Sequence, residues 1–184
     1  AGNPPALVDE TADIAKAAGI SKAMLFYYFV SKKELYLDLI QEASHVLLSA
    51  MSAHPESIPT DFFERLLALS HIKIQVLKKS PFLAQFLFSA FTEADPEVCD
   101  ELRAYLSAGD IFRNEMMVLH TDAEKFKNGV RPELVMQLLT DCALGLFSVR
   151  TADDCSPEII DRRMDRFRLY LALLKQNFYK EAYL

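Results

Sequence analysis

Apolar residues in this chain recur at three- and four-residue spacing, and no long stretch alternates with period two, so the pattern predicts helices throughout. After Ser31 they fall at Tyr36, Leu39, Ile40, Ala43, Val46, Leu47, Ala50 and Met51, one stripe of a long helix. Ser31 is placed to cap it, Glu34 three residues on completes a capping box, and His54-Pro55 stops it near Ala53. The next helix is expected from Thr60, with Thr60 or Asp61 as cap, to Lys78-Lys79, where cations suit the helix end. Pro81 opens a helix through Phe91, and Asp95-Pro96-Glu97 opens another toward His120, with Gly109 a point of interruption. Lys127-Asn128-Gly129 reads as a loop. Pro132 begins a helix to about Arg150. Ser156 as cap, with Pro157 at the first position, begins the last one.

Two of these helices have unusual patterns. Between Leu134 and Val149 the polar side chains are Gln137, Thr140, Asp141 and Ser148, so the helix from Pro132 is expected to be buried nearly all round. Asp141 then needs a polar partner, the favoured reading, or a cavity, because a buried lone carboxylate is costly. The last helix carries a seam at Ile160, Met164, Phe167, Leu171, Leu174 and Phe178, with Leu169 and Leu173 on a different side and Tyr170 between. One strip covers the chain's own core and the second calls for another partner; the alternative is a single broad core face.

Thr11 to Val30 carries the functional signal. Thr11 to Ala18 reads as a short helix ended by Gly19, which takes a left-handed conformation without steric cost. Ser21 caps a second helix through Phe29. Small Ala15 permits a close crossing, and Ile14, Ala18, Ile20 and Leu25 form the expected buried patch of a helix-turn-helix. Leu25 and Phe29 point inward, while Lys22, Ala23, Phe26 and Tyr27 point outward. A short helix with exposed aromatics makes sense if it enters a major groove, where small residues permit close approach and rings touch thymine methyls and backbone. Lys32 and Lys33 follow within reach of phosphates. A hairpin used only for packing is the alternative.

Composition sharpens this picture. The chain has 184 residues and is 51% hydrophobic, enough for one domain with a sizeable core, or for one domain plus a small appendage. Its net charge is −6, yet Ile14 to Lys33 contains four lysines (Lys16, Lys22, Lys32, Lys33) and no acid, a small basic patch on an acidic body. The nearly apolar run Pro81 to Phe91 is too short to span a bilayer, so no membrane partner is expected. Cys99, Cys142 and Cys155 are odd in number and irregularly spaced, which fits a reducing cytoplasm better than a disulfide scaffold. His45, His54, His71 and His120 share no close metal spacing, and no phosphate loop, nucleophile elbow or paired-carboxylate motif is present. No cofactor, metal or enzyme activity is expected.

The run from Ala12 to Ile40, ADIAKAAGISKAMLFYYFVSKKELYLDLI, resembles the DNA-binding region of the TetR family of transcriptional regulators. The matching features are Ile14-Ala15, Ala18-Gly19-Ile20-Ser21, Leu25, Tyr27-Tyr28-Phe29, Lys32 and Leu35, and the likeness covers Val8 to about Ile40. The resemblance implies that Ser21, Lys22 and Ala23 meet bases or nearby phosphates, that Tyr27 and Tyr28 touch phosphates or thymine methyls, and that Lys32 pairs with a phosphate. Phe26 stands where the family often has tyrosine, and lacks its hydroxyl. Ala23 stands where glycine is common, and Val30 replaces a more usual polar or glycine residue. The family's domain has three helices, so a first helix is expected ahead of Ala1.

The expected fold is all-α: a DNA-binding region over 1–35, then a helical effector-binding and dimerisation domain over 36–184. The expected function is a ligand-responsive regulator, more a repressor than an activator. It would bind a palindromic double-stranded DNA operator as a homodimer and be released by a small apolar or amphipathic effector. The DNA-binding set is Ser21, Lys22, Ala23, Phe26, Tyr27, Tyr28 and Lys32. Phe88, Phe91, Phe112, Met116 and Asp141 are the candidate effector pocket. Leu146, Phe167, Leu171 and Leu174 are the candidate dimer interface. The rival reading is a helical small-molecule-binding or enzymatic bundle whose hairpin does not bind DNA.

Overall fold

The computed structural model describes residues 10–53, 57–90, 93, 95–118, 121–147 and 156–184; within the helices, the side chains at 10, 81, 88, 108 and 110–116 fall outside the description. The described residues form eight α-helices: α1 (Glu10–Ala17), α2 (Lys22–Tyr28), α3 (Lys32–Ser52), α4 (Phe62–Lys79), α5 (Pro81–Ala90), α6 (Cys99–Val118), α7 (Pro132–Leu146) and α8 (Pro157–Phe178). Single 3-10 turns occupy Ala123–Lys125 and Glu181–Tyr183.

Local chemistry sets the boundaries. The Ser31 hydroxyl accepts from the Glu34 N–H at 3.1 Å, and the Glu34 carboxylate accepts from the Val30 N–H at 2.6 Å, one residue beyond the usual capping-box partner. Asp61, not Thr60, caps α4, accepting from the N–H groups of Phe63 and Glu64, both at 3.1 Å. Thr60 donates instead to Asp122 at 3.1 Å. Ser156 accepts from the Ile159 N–H at 3.4 Å, with Pro157 opening α8. Gly109 does not interrupt α6, because glycine weakens a helix without removing a backbone hydrogen bond. α7 is helical to Leu146 with Phe147 as its cap; its expected last turn at 148–150 lies outside the described residues.

Packing divides the chain into two compact units, with the boundary inside α3 after Gln41. The second unit has one core, in which α4 packs on α5, α6 and α8, and α7 on α6 and α8. The α8 seam works as expected: Ile160, Met164, Phe167 and Leu171 are buried, with Leu174 and Phe178 packed beside them. In α3, Leu47 joins this core, but Leu39 and Val46, expected to pack inward, lie on the exposed side.

α7 corrects the expectation of all-round burial. Val135, Met136 and Leu139 are buried, while Leu134, Leu138 and Leu144 are 50%, 43% and 41% exposed. Asp141 is exposed as well, so neither a buried partner nor a cavity explains it. The physical reason is that α7 packs on α6 and α8 through one side, where Val135, Met136 and Leu139 lie, and turns Leu134, Leu138 and Leu144 away from it.

A clamp joining the beginning of α4 to the end of α8 has no counterpart in the sequence pattern. Phe126 and Tyr179 form an isolated antiparallel bridge, flanked by Lys127 N–H to Phe178 C=O at 2.8 Å and Lys180 N–H to Lys125 C=O at 2.9 Å. Edge-to-face rings stack across it: Phe62–Phe126 at 5.3 Å, Phe126–Tyr179 at 4.9 Å and Phe63–Tyr179 at 5.1 Å. Ion pairs rim these rings. Lys125 meets Asp122 at 2.7 Å and Asp61 at 3.1 Å, and Lys175 meets Glu64 at 2.9 Å and Asp61 at 3.5 Å. Burial alone would raise the Asp61 pKa, but the Glu64 N–H and the two lysines outweigh it and hold the carboxyl below its ordinary value. Burial, then the nearby Asp61 charge, pushes the Tyr179 hydroxyl upward.

Candidate nucleic-acid interface

The hairpin is built on a small apolar cluster. Ala15, Leu25 and Leu35, one from each of the first three helices, are buried together, with Ile20 and Phe29 packed against them. Gly19 has φ +71°, the left-handed turn that lets the chain reverse between α1 and α2. The Ile20 N–H donates to the Ala15 carbonyl at 3.0 Å and closes that turn. Ile14 and Ala18, expected in the buried patch, are exposed, Ile14 at 37%. Ile14, one residue before Ala15, falls on another side of α1, and Ala18 lies in the turn past the helix end.

The outer side of α2 matches the expected site in its exposure. Ser21, Lys22, Ala23, Phe26, Tyr27, Tyr28 and Lys32 are all exposed. Ser21 has a second duty, since its hydroxyl oxygen accepts from the Met24 N–H at 3.1 Å and so caps α2. That leaves its O–H free in direction to donate elsewhere. Tyr27 and Tyr28 are 82% and 64% exposed and meet edge to face at 5.3 Å. The Lys22 ammonium lies 5.9 Å from the centre of the Phe26 ring. Met24 and Val30, at 47% and 84% exposure, share this exposed surface and were absent from the expected set. The signal for Met24 was its place between inward Leu25 and outward Ala23; for Val30, its place just past the end of α2.

The other expected sites fare differently. Phe91 lies outside the described residues, as do the side chains of Phe88, Phe112 and Met116, and Asp141 is exposed. Of the expected dimer set, Phe167 and Leu171 are buried within the chain's own core, where Leu146 and Leu174 also pack. The exposed strip of α8 is Leu169 and Leu173, at 70% and 57%. His71 is exposed, with its ring beside Gln75 at 3.5 Å.

Two short helices crossing at a small residue, a left-handed glycine between them and an uncovered aromatic and basic outer face define a helix-turn-helix DNA-binding protein. Residues 10–39 match the sequence model of a family described as bacterial regulatory proteins, tetR family. The match covers the hairpin and the first part of α3, and it supports a helix-turn-helix of the kind carried by that family's DNA-binding transcriptional regulators. A search of curated proteins found no significant match. Among the described residues, no helix is long and apolar enough to cross a membrane.

Proposed function

We propose that the protein is a dimeric, ligand-responsive repressor that binds a palindromic operator in the cytoplasm. The observation that carries this reading is the outward face of α2, where a cation, a small residue and three aromatic rings stand exposed on a helix whose inner residue, Leu25, is buried. Such a face suits a major groove. Ser21, Lys22 and Ala23 would meet bases, Tyr27 and Tyr28 the backbone and thymine methyls, and Lys32 a phosphate.

The proposed dimer uses the uncovered side of α7 and α8. Leu134, Leu138 and Leu144 on α7, with Leu169 and Leu173 on α8, are exposed leucines grouped on two helices, the kind of surface that marks an association site. Their polar neighbours carry both signs, Glu133 and Asp141 on α7 and Arg162 and Arg166 on α8, which suits an isologous interface. Phe167 and Leu171 serve the subunit core, so the strip at Leu169 and Leu173 replaces them. Two-fold symmetry implies half-sites about 34–36 Å apart.

Control would run through α3, one continuous helix that starts at Lys32 beside the hairpin and places Leu47 in the core of the second unit. An effector that favours one pose of α3 changes the spacing of the two recognition helices. An apolar or amphipathic effector fits the phenylalanine- and methionine-rich stretch from Pro81 to Met117.

Selection of bound sequences from random DNA with the full-length protein tests the reading, and a palindromic consensus is the expected result. Lys32→Ala should then weaken all sequences alike and lower the log–log salt slope by roughly 1 for each phosphate that Lys32 neutralises. Leu173→Glu should yield monomers in sedimentation that retain the helical circular dichroism of the parent. Binding that is independent of salt and sequence would leave the rival reading, a helical bundle with an inert hairpin.

A further inference from the structure

The chain leaves α2 at Phe29, whose N–H still donates to the Leu25 carbonyl at 2.9 Å but whose own backbone is extended, with φ −122° and ψ 113°. Val30 therefore falls outside the hydrogen-bond ladder of α2. Its N–H donates instead to the Glu34 carboxylate at 2.6 Å, four residues on and already inside α3. Glu34 is held at its other end as well, because its N–H donates to the Ser31 hydroxyl oxygen at 3.1 Å. One residue thus ties the first turn of α3 back to the end of α2. Beneath this tie the two helices meet through Leu25 and Leu35, in a cluster whose third buried member is Ala15. Apolar contact is non-directional, whereas a hydrogen bond to a carboxylate fixes both distance and direction. Charge makes the residue informative. Glu34 is exposed, and it is the first acid after the acid-free stretch from Ile14 to Lys33. Next to a surface suited to an anionic partner, a carboxylate is unfavourable on charge alone. The dipole of α3 would be served by any acid in its first turn, but the reach back to Val30 uses the length of glutamate.

We propose that Glu34 is a positioning residue for DNA recognition. By holding the Val30 N–H it fixes the end of α2, with Tyr27 and Tyr28, against the start of α3, with Lys32, so that backbone contacts on both sides of the junction fall in one register. This rests on the DNA-binding reading above and adds to it an acid that acts through the turn rather than by contact with DNA. The tie is exposed, so water takes its place when it is removed, and the loss falls on geometry more than on folding.

The experiment compares three variants of the full-length protein. Glu34→Gln keeps an acceptor oxygen at the same reach and removes the charge. Glu34→Asp keeps the charge but is one methylene short, and Glu34→Ala removes both. The first readout needs no DNA: solvent exchange of the Val30 amide, followed by NMR, should be slowed in the parent and in Glu34→Gln, and about fivefold faster in the other two. The second is affinity for the selected operator and its dependence on salt. Glu34→Ala and Glu34→Asp should each bind about tenfold more weakly, with a lower log–log salt slope. Glu34→Gln should bind at least as tightly as the parent, since it keeps the tie and takes an acid away from the phosphates. A role through charge alone predicts instead that Glu34→Ala and Glu34→Gln both tighten binding while Glu34→Asp matches the parent. That pattern overturns the proposal. So does a Val30 amide that exchanges alike in the parent and Glu34→Ala, or a Glu34→Ala protein that loses thermal stability yet keeps the parent's affinity and salt slope while folded. Each of these results leaves DNA binding itself intact. Absence of sequence-specific binding by the parent would overturn both the proposal and the reading beneath it, even with the Val30 amide protected.

Discussion

On α2, lysine and aromatic side chains face outward: Tyr27 and Tyr28 stand in solvent, and Lys22 rests over a ring. Where α4 begins and α8 ends, the same side-chain types face inward. Phe62, Phe63, Phe126 and Tyr179 are buried edge to face, and Lys125 and Lys175 meet carboxylates. The difference lies in what each ring and charge meets within the chain. In the clamp, rings meet rings and cations meet anions, so its chemistry is satisfied internally and its product is stability. On α2 the acid-free stretch from Ile14 to Lys33 supplies no carboxylates of its own, and its outer rings stay largely in solvent, so the product is a surface suited to an anionic partner.

The comparison is broken most readily by removing one ring from each region. Tyr179→Ala deletes a wholly buried aromatic and should cost about 3–5 kcal/mol in denaturant unfolding. Tyr27→Ala, at a position 82% exposed, should change stability by less than about 0.5 kcal/mol while weakening operator binding. Comparable destabilisation by both would mean that the α2 rings are structural after all.

The two regions also differ in how legible they were. The hairpin could be read because its determinants lie within about thirty consecutive residues: Gly19 for the turn, Ser21 for the cap, Leu25 for the inner face, Ser31 and Glu34 for the next cap. Each acts through a partner only a few positions away. The clamp could not be read, because Asp61, Lys125 and Lys175 are distant in sequence and nothing in the spacing of Phe126 or Tyr179 announces that they pair. α7 was misread for a related reason. Its apolar pattern shows that a helix seeks cover, but not whether the cover comes from its own chain. Thus Val135 and Leu139 are buried while Leu134 and Leu138 are not. Ile14 failed at the level of register, since its spacing allowed either side of α1.

A smaller effect sharpens the electrostatic half of the comparison. Asp61 is held below its ordinary 3.8, so its contribution is present at neutral pH and is lost as pH falls through that lower value. The hydrogen bond from Lys125, chief among its causes, holds Asp122 below 3.8 in the same way. On the alkaline side, Lys125 is raised above 10.5 and Tyr179 above 10.0, so their contributions hold below those values and are lost as pH rises through the folded ones. The thermal midpoint of the body should therefore fall at both extremes. Asp61→Asn should flatten the acid limb, and Asp61→Ala should cost about 1–2 kcal/mol at neutral pH through loss of the α4 cap. An acid limb identical in parent and Asp61→Asn would show that other carboxylates set it. Operator binding is expected to be indifferent to this substitution.

The smallest effect concerns the second outward-facing surface, the uncovered side of α7. Gly145 lies there, in the last turn of α7 and in the same stripe as Leu134, Leu138 and Asp141. Its φ is not in the left-handed region, and among the described residues a Cβ built on it meets nothing within 4 Å beyond its chain neighbours and its own helix backbone. Among the described residues, then, neither turn nor packing requires glycine, and glycine in a helix costs up to about 1 kcal/mol relative to alanine. Close approach of a second copy would supply the reason. Gly145→Ala should raise the stability of the dissociated subunit by about 0.5–1 kcal/mol, yet weaken self-association by inserting a methyl where the two backbones cross. Unfolding at low protein concentration reads the first effect, and sedimentation over a concentration series reads the second. A variant that gains stability at every concentration, with its dimer dissociation constant unchanged, would move the crossing point away from Gly145. It would leave Leu169 and Leu173 on α8 as the surface on which the dimer is built.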